Sequence, residues 1–233
     1  MPKHPNKSGH FNQKWHDYYT EKRIVHQWMQ VHLLKDLPVR RVLEIGPYLG
    51  LVTAMLRNAG YQTTIFDLAD APAFPSPDVP RIAGDIRDLD GAALAAGEFD
   101  AILCCETLEH LPYGDVDGVL ARLSATGIPY LVLSVPYMGS QLTVRLYANR
   151  YSARKYTSLK KFMGFKRFRP PPADAGWEAH KWEIGYRDTP LGKFRALVER
   201  HYRICRTEFT AECRSVFFLC RNRAPRPAIS SEP

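Results

Sequence analysis

The sequence predicts an α/β domain built on a doubly wound, mostly parallel sheet with helices on both faces. Three observations carry that expectation. Residues 42–53 read Val-Leu-Glu-Ile-Gly-Pro-Tyr-Leu-Gly-Leu-Val-Thr, an apolar run that holds one acid, Glu44, breaks at Gly46 and Pro47, and turns helical near Gly50. Strand-like and helical segments then alternate through residue 136, as parallel strands joined by right-handed crossovers do. The segment from Phe99 to Cys105 is continuously apolar, the mark of a strand covered on both faces.

Each element follows in order. Residues 1–10 are polar and expected to be loose. From Phe11 to Leu37, Trp15, Tyr18, Tyr19, Ile24, Trp28, Val31 and Leu34 recur near spacings of three and four, and Pro38 ends the pattern. This leading helix either packs on the sheet or lies as a lid over a pocket, giving an N-terminal unit over 1–40. Arg41–Ile45 reads as the first strand and Leu51–Ala59 as the first helix, with Gly60 following its end. Gln62–Phe66 is a second strand of β-branched and aromatic residues, ending at Asp67. Glycines at a strand-to-helix turn let backbone approach a ligand, and the helix start offers unpaired N–H groups. An acid about 20 positions after such a turn can accept hydrogen bonds from ribose hydroxyls. That role falls to Asp67.

Ala71–Pro80 is a proline-rich loop, Arg81–Ile86 a short third strand or edge, and Gly91–Ala96 a possible short helix. After Phe99–Cys105, Val116–Ser124 is helical and Tyr130–Val135 is a fifth, buried strand. Residues 137–183 break the alternation: they are long, basic and aromatic, and include Pro170-Pro171-Pro172. An insertion of that length at a sheet edge carries function or is partly disordered. Leu191–Arg200 is a further helix, Tyr202–Thr207 and Arg214–Cys220 form a final hairpin, and 224–233 is a disordered tail. The main unit thus runs over 41–223.

With 233 residues, 45% of them hydrophobic and 24% charged, the composition is that of an ordinary globule. No apolar run reaches a membrane span, and no apolar stretch behind the first residues marks a secretory signal. Five cysteines without a Cys-x-x-Cys pair read as reduced thiols, hence a cytoplasmic setting. The net charge is +8, and from Gly118 to Ala173 there is no Asp or Glu but ten Arg and Lys. Such a field attracts phosphates, carboxylates, nucleic acid or an acidic membrane surface.

Taken together, the stretch from Val42 to Gly50, Phe66-Asp67, Gly84-Asp85-Ile86, Phe99-Asp100 through Glu109-His110-Leu111, and Ser134-Val135-Pro136 resemble the class I S-adenosylmethionine-dependent methyltransferases. The resemblance implies a Rossmann-like sheet of seven strands, the last antiparallel, and S-adenosyl-L-methionine as cofactor. It places Glu44, Gly46 and Gly50 at the methionine-side wall of the pocket, and counts Pro47 and Tyr48 of the same turn among the cofactor-binding residues. Asp67 would hold the ribose with Leu68 beside the adenine, Asp85 and Ile86 would meet the adenine, and Cys105 and Glu106 would lie under the sulfonium. Tyr48 stands where many members have glycine. A dehydrogenase would need Gly-x-Gly-x-x-Gly, which Gly46-Pro-Tyr-Leu-Gly50 is not. A non-enzymatic nucleotide- or nucleic-acid-binding module also remains open.

A second constellation lies downstream. Glu106, Glu109 and His110, with the distant His180, could hold Mg²⁺ or Mn²⁺. The Glu-x-x-Glu-His segment resembles metal-dependent RNA ribose 2′-O-methyltransferases and ubiquinone-pathway O-methyltransferases. His110 and His180 could instead serve as bases or orient substrate without metal, or be structural. The basic aromatic insertion suits RNA, a membrane surface or a lid over an anionic molecule, or is simply a solvated face. The expectation is a methyltransferase acting on an oxygen of a small anionic metabolite, with an RNA ribose methyltransferase as the alternative. The sequence does not set the oligomeric state.

Overall fold

The computed structural model describes residues 13–69, 78–91, 94, 99–139, 141–160, 165–172, 174–176, 178–210 and 215–223. The 1–10 segment, most of the proline-rich loop, most of 91–96 and the 224–233 tail lie outside the described residues.

The main sheet contains β1 (Arg41–Ile45), β2 (Gln62–Asp67), β3 (Arg81–Ala83), β4 (Ala101–Cys105), β5 (Tyr130–Pro136), β8 (Tyr202–Thr210) and β9 (Ser215–Asn222). Its order is β3-β2-β1-β4-β5-β9-β8. The first five strands are parallel; β9 runs antiparallel to β5, and β8 to β9. The seven-stranded Rossmann-like expectation is met, with β3 as an edge.

Alternation along the strands splits the interior in two. Leu43, Ile102, Leu131, Leu133 and Phe218 belong to one apolar cluster, and Val42, Leu103, Val132 and Phe217 to the other. The first is covered by α4 (Val116–Ala125) through Val119, Leu120 and Leu123, and by α5 (Leu191–His201) through Phe194 and Val198. The second takes Val52 and Leu56 of α3 (Leu51–Asn58) and Leu33 and Leu34. Burial on both faces is why these strands read as unbroken apolar runs.

Three expectations are corrected. The leading helix is two: α1 (Gln13–Tyr18) and α2 (Glu21–His32), separated at Tyr19-Thr20. Its buried stripe is also shifted. Ile24 and Trp28 are exposed, whereas His26, Gln30, Leu33 and Leu34 are buried. The inner face of α2 lines a polar cavity with His26, Gln27 and Gln30, so Ile24 and Trp28 of the expected apolar stripe are turned outward. Thirdly, the basic segment, expected as an insertion without strands of its own, contains a regular element. It forms an antiparallel hairpin, β6 (Gln141–Ala148) and β7 (Ala153–Lys160), outside the main sheet. Its far end returns to the interior: Trp182 and Ile184 are buried in the first cluster, and the Ile184 N–H donates to Pro136 O at 3.1 Å.

Leu43→Ala, which removes a fully buried side chain from β1, should lower unfolding free energy by about 2–5 kcal/mol. Leu146→Ala, at a 77% exposed hairpin position, should change it by less than about 0.5 kcal/mol. Denaturant midpoints compare the two; equal losses would contradict this account of the interior.

Candidate functional site

A cavity of about 1220 Å³ opens at the carboxyl ends of β1, β2, β4 and β5. Ligands bind there in doubly wound sheets, where strand order reverses and neighbouring connections diverge.

The β1–α3 turn forms one wall. Gly46 has φ +66°, and its N–H donates to Phe66 O at 2.9 Å. A Cβ at Gly46 would meet Thr107 Oγ1 at 3.1 Å, so both conformation and space favour glycine. Tyr48 also takes a left-handed conformation, φ +51°, retaining at a bulky residue the backbone that glycine adopts easily. Its ring packs on Tyr18 of α1 at 4.7 Å, with Lys14 Nζ 4.9 Å from its centroid. Tyr48 thus couples the turn to the leading helices. Gly50 is the N-cap of α3, with φ +80°; unlike Gly46, Pro47 and Tyr48, it is not part of the cavity lining.

Glu44 is 4% exposed, lines the cavity, and accepts a 2.5 Å hydrogen bond from Thr53 Oγ1 on α3. Burial pushes its carboxyl up to about 7; the Thr53 hydrogen bond opposes this and the Asp67 charge adds to it. Asp67 and Leu68 follow at the end of β2, where Asp67 Oδ1 accepts from the Leu68 N–H at 2.9 Å. Asp85 and Ile86 line the cavity beside them. Asp85 accepts from the Arg87 backbone N–H and guanidinium, and this hydrogen bonding holds its carboxyl below the usual range.

The end of β4 supplies the floor. Cys105 lines the cavity, and burial pushes its thiol well up. Glu106, at φ +52°, accepts from Ser134 Oγ at 2.9 Å and Ser215 Oγ at 3.2 Å. His26 Nε2 of α2 stands 3.9 Å from Glu106 Oε1. Burial lowers the His26 pKa, with Glu106 opposing. His26, Thr107, Ser134 and Ser215 all border this floor and were missed from the sequence. Their signals are single polar residues at strand ends or within an apolar helix pattern, too common to single out.

Beyond the floor, Glu109, His110 and His180 each offer a ligand atom, all within 4.8 Å of one another. The sequence places the two histidines far apart; the fold brings their rings to 5.2 Å. Two contacts fix the approach: the Lys181 N–H donates to Glu109 O at 2.7 Å, and Trp182 Nε1 to Leu111 O at 3.0 Å. His180 Nδ1 meets Glu183 Oε1 at 3.0 Å. Glu109 is fully buried, and its carboxylate oxygens have no hydrogen-bond partner among the described residues. Burial, then the Glu106 charge, pushes it well above the usual carboxylate range. Glu106, expected as a fourth metal ligand, stands outside this group, held by its serines.

The roof is α1 and α2, which bring Lys14, Tyr18, Lys22, Arg23 and His26 to the lining. Among the described residues no hairpin residue belongs to the lining; the basic segment 137–183 reaches it only through Met138, Glu178, His180, Lys181 and Glu183.

A model of the methyltransferase domain family matches residues 14–163. Ubiquinone biosynthesis O-methyltransferase of Stutzerimonas stutzeri is 28% identical over 116 residues, covering 42% of this chain and 47% of that protein. The same enzyme of Bordetella avium is 30% identical over 116 residues, covering 42% and 46%. The chain thus spans about half the length of these curated relatives. Among solved structures, the Burkholderia thailandensis 1,6-didemethyltoxoflavin-N1-methyltransferase, with bound 1,6-didemethyltoxoflavin and S-adenosylhomocysteine, aligns with a TM-score of 0.52. It has 20% identity over 90% of this chain and 84% of that one. The glycopeptide N-methyltransferase MtfA complexed with S-adenosyl-L-homocysteine gives a TM-score of 0.55 and 14% identity, over 84% and 88%. Those structures share the fold, and the family model spans well over half of the sequence: the chain belongs to the methyltransferase domain family, among the class I S-adenosylmethionine-dependent methyltransferases.

Proposed function

We propose that the chain transfers a methyl group from S-adenosyl-L-methionine to an oxygen of a small anionic acceptor. One observation carries the reading: the glycine turn, Asp67 and Asp85 share a single cavity with Glu109, His110 and His180. The first set suits a nucleoside and amino-acid ligand. The second suits removal of a proton from an acceptor. In the reaction the acceptor oxygen bonds to the methyl carbon as the carbon–sulfur bond breaks, leaving a neutral thioether. The acceptor proton passes to a base, His110 or His180. A sulfonium is already activated, so the protein mainly aligns the reactants and excludes water. The curated relatives are O-methyltransferases by name, which supports oxygen as the acceptor atom. Lys22, Arg23 and Lys181 on the lining support an anionic acceptor better than the hairpin does.

Glu109, His110 and His180 also fit a divalent cation, because a buried carboxyl with no hydrogen-bond partner among the described residues lies beside two imidazoles. With Glu106 apart, this donor set favours Mn²⁺ or Zn²⁺ over Mg²⁺. When bound, such an ion would acidify an acceptor hydroxyl.

Three measurements test this reading. Asp67→Ala should weaken binding of S-adenosylhomocysteine by about 1–3 kcal/mol in calorimetric titration; unchanged affinity removes Asp67 from the ribose site. For the metal, dialysis against Mn²⁺ or Zn²⁺ should leave about one ion per chain and alter the fluorescence of Trp182, and His180→Ala should abolish both effects. Retention of the ion by the variant would reject the site. The third measurement uses pH. Glu44 titrates near 4.5 when unfolded and near 7 when folded. Its contribution is therefore complete below about 4.5 and is lost as pH rises through about 7. Relative to the ligand-free wild type, Glu44→Gln should gain stability between pH 5 and pH 8, by up to about 3 kcal/mol. A difference independent of pH would show that Glu44 is not held protonated by burial.

A further inference from the structure

The β6–β7 hairpin has a surface that the proposed reaction does not use. In its register Leu142 faces Leu159, Val144 faces Thr157 and Leu146 faces Lys155, whereas Arg145 faces Tyr156 and Tyr147 faces Arg154. Successive side chains point to opposite sides, so one face carries the aliphatic row and the other alternates arginine with tyrosine. Both are in solvent. Leu142 is 67% exposed, Val144 53%, Leu146 77% and Leu159 71%. Tyr151 at the turn is 84% exposed, and Arg145, Arg150, Arg154 and Lys155 are exposed around it. Phe165 continues the pattern at 67%, followed by exposed Lys166, Arg167 and Arg169.

A two-stranded hairpin is marginally stable in water unless something packs against it. Here no described side chain of either strand is buried. A row of four aliphatic side chains on such an element points to a covering surface from outside the chain. Charge narrows the choice. The span from Gly118 to Ala173 has ten cations and no acid, so a second copy of the same face would set like charges against each other. Single-stranded nucleic acid would engage the Arg–Tyr face but leave the aliphatic face in water. An anionic lipid surface satisfies both when the hairpin enters it tip first, at the exposed Tyr151, with a face on either side of the turn. Leucine and valine enter the boundary with the acyl chains, tyrosine lies at headgroup depth, and arginine and lysine reach the charged headgroups. Among the described residues no helix is long and apolar enough to cross a membrane, so attachment would be peripheral.

We propose that the β6–β7 hairpin docks the protein on anionic lipid bilayers. Co-sedimentation of the full chain with phosphatidylcholine vesicles, with and without phosphatidylglycerol, tests this. Binding is expected only with phosphatidylglycerol and should weaken as salt rises. Leu142→Ser with Leu146→Ser, and separately Arg145→Gln with Arg154→Gln, should each reduce it by roughly tenfold or more. Melting temperature and S-adenosylhomocysteine binding should stay as in the wild type, which separates this result from any failure of the methyltransferase reading. The proposal is overturned by equal binding to both vesicle types, by no binding at low salt, or by variants that bind like the wild type. A dimer in analytical ultracentrifugation that the serine variants dissociate would assign the face to a second copy instead. Salt-sensitive binding of single-stranded RNA without vesicle binding, lost in the arginine variants alone, would assign it to nucleic acid.

Discussion

The site depends on a reversal in strand order. β1 lies between β2 and β4, so the chain leaves β1 toward one side of the sheet and β4 toward the other, and a crevice opens where they part. The backbone must turn sharply at both strand ends. Gly46, Tyr48 and Glu106 all have left-handed conformations there. For Tyr48 and Glu106, which carry a Cβ, this costs about 1–2 kcal/mol apiece, and the surrounding sheet must hold them. The hydrogen bonds of Glu106 to Ser134 and Ser215 provide part of that hold, from the adjoining β5 and from the first residue of β9. The wall and floor of the cavity are therefore consequences of topology before they are consequences of any single side chain.

Charge follows a division of space. Glu44, Asp67, Asp85, Glu106, Glu109 and Glu183 line the cavity, whereas the cations of the hairpin face outward. An acidic interior suits a ligand that carries a sulfonium and an ammonium; it is a less obvious host for an anion. The lining also holds Lys22 and Arg23 on α2 and Lys181, the cations that stand beside those acids. The described cations of the basic span, which dominates the sequence, are exposed at the outer surface.

What the sequence disclosed was whatever burial writes locally. β1, β2, β4 and β5 were legible because strands covered on both faces or ending in an acid leave a mark in a few consecutive residues. The hairpin was not recognised because neither of its faces meets the interior, although Leu142, Val144 and Leu146 alternate with Arg145 and Tyr147 in the text itself. The same holds for His180-Lys-Trp-Glu-Ile: the alternate burial of Trp182 and Ile184 was visible as a short strand-like pattern inside a stretch read as insertion. The approach of His180 to His110, and of Ser215 to Glu106, was inferable only from a family resemblance or not at all. Those pairs are separated by 70 and 109 positions, and only the closed sheet brings them together.

Glu109 shows how the two halves of the cavity are linked. A fully buried carboxyl without a hydrogen-bond donor among the described residues is costly when ionised, so burial pushes Glu109 well above the usual carboxylate range. Part of the same shift comes from Glu106, which itself lies beside His26 on the leading helix. Positive charge beside Glu106 would therefore offset part of what raises Glu109. The acids on the two sides of the floor are thus linked through charge: what neutralises Glu106 bears on Glu109, with no movement of the sheet required.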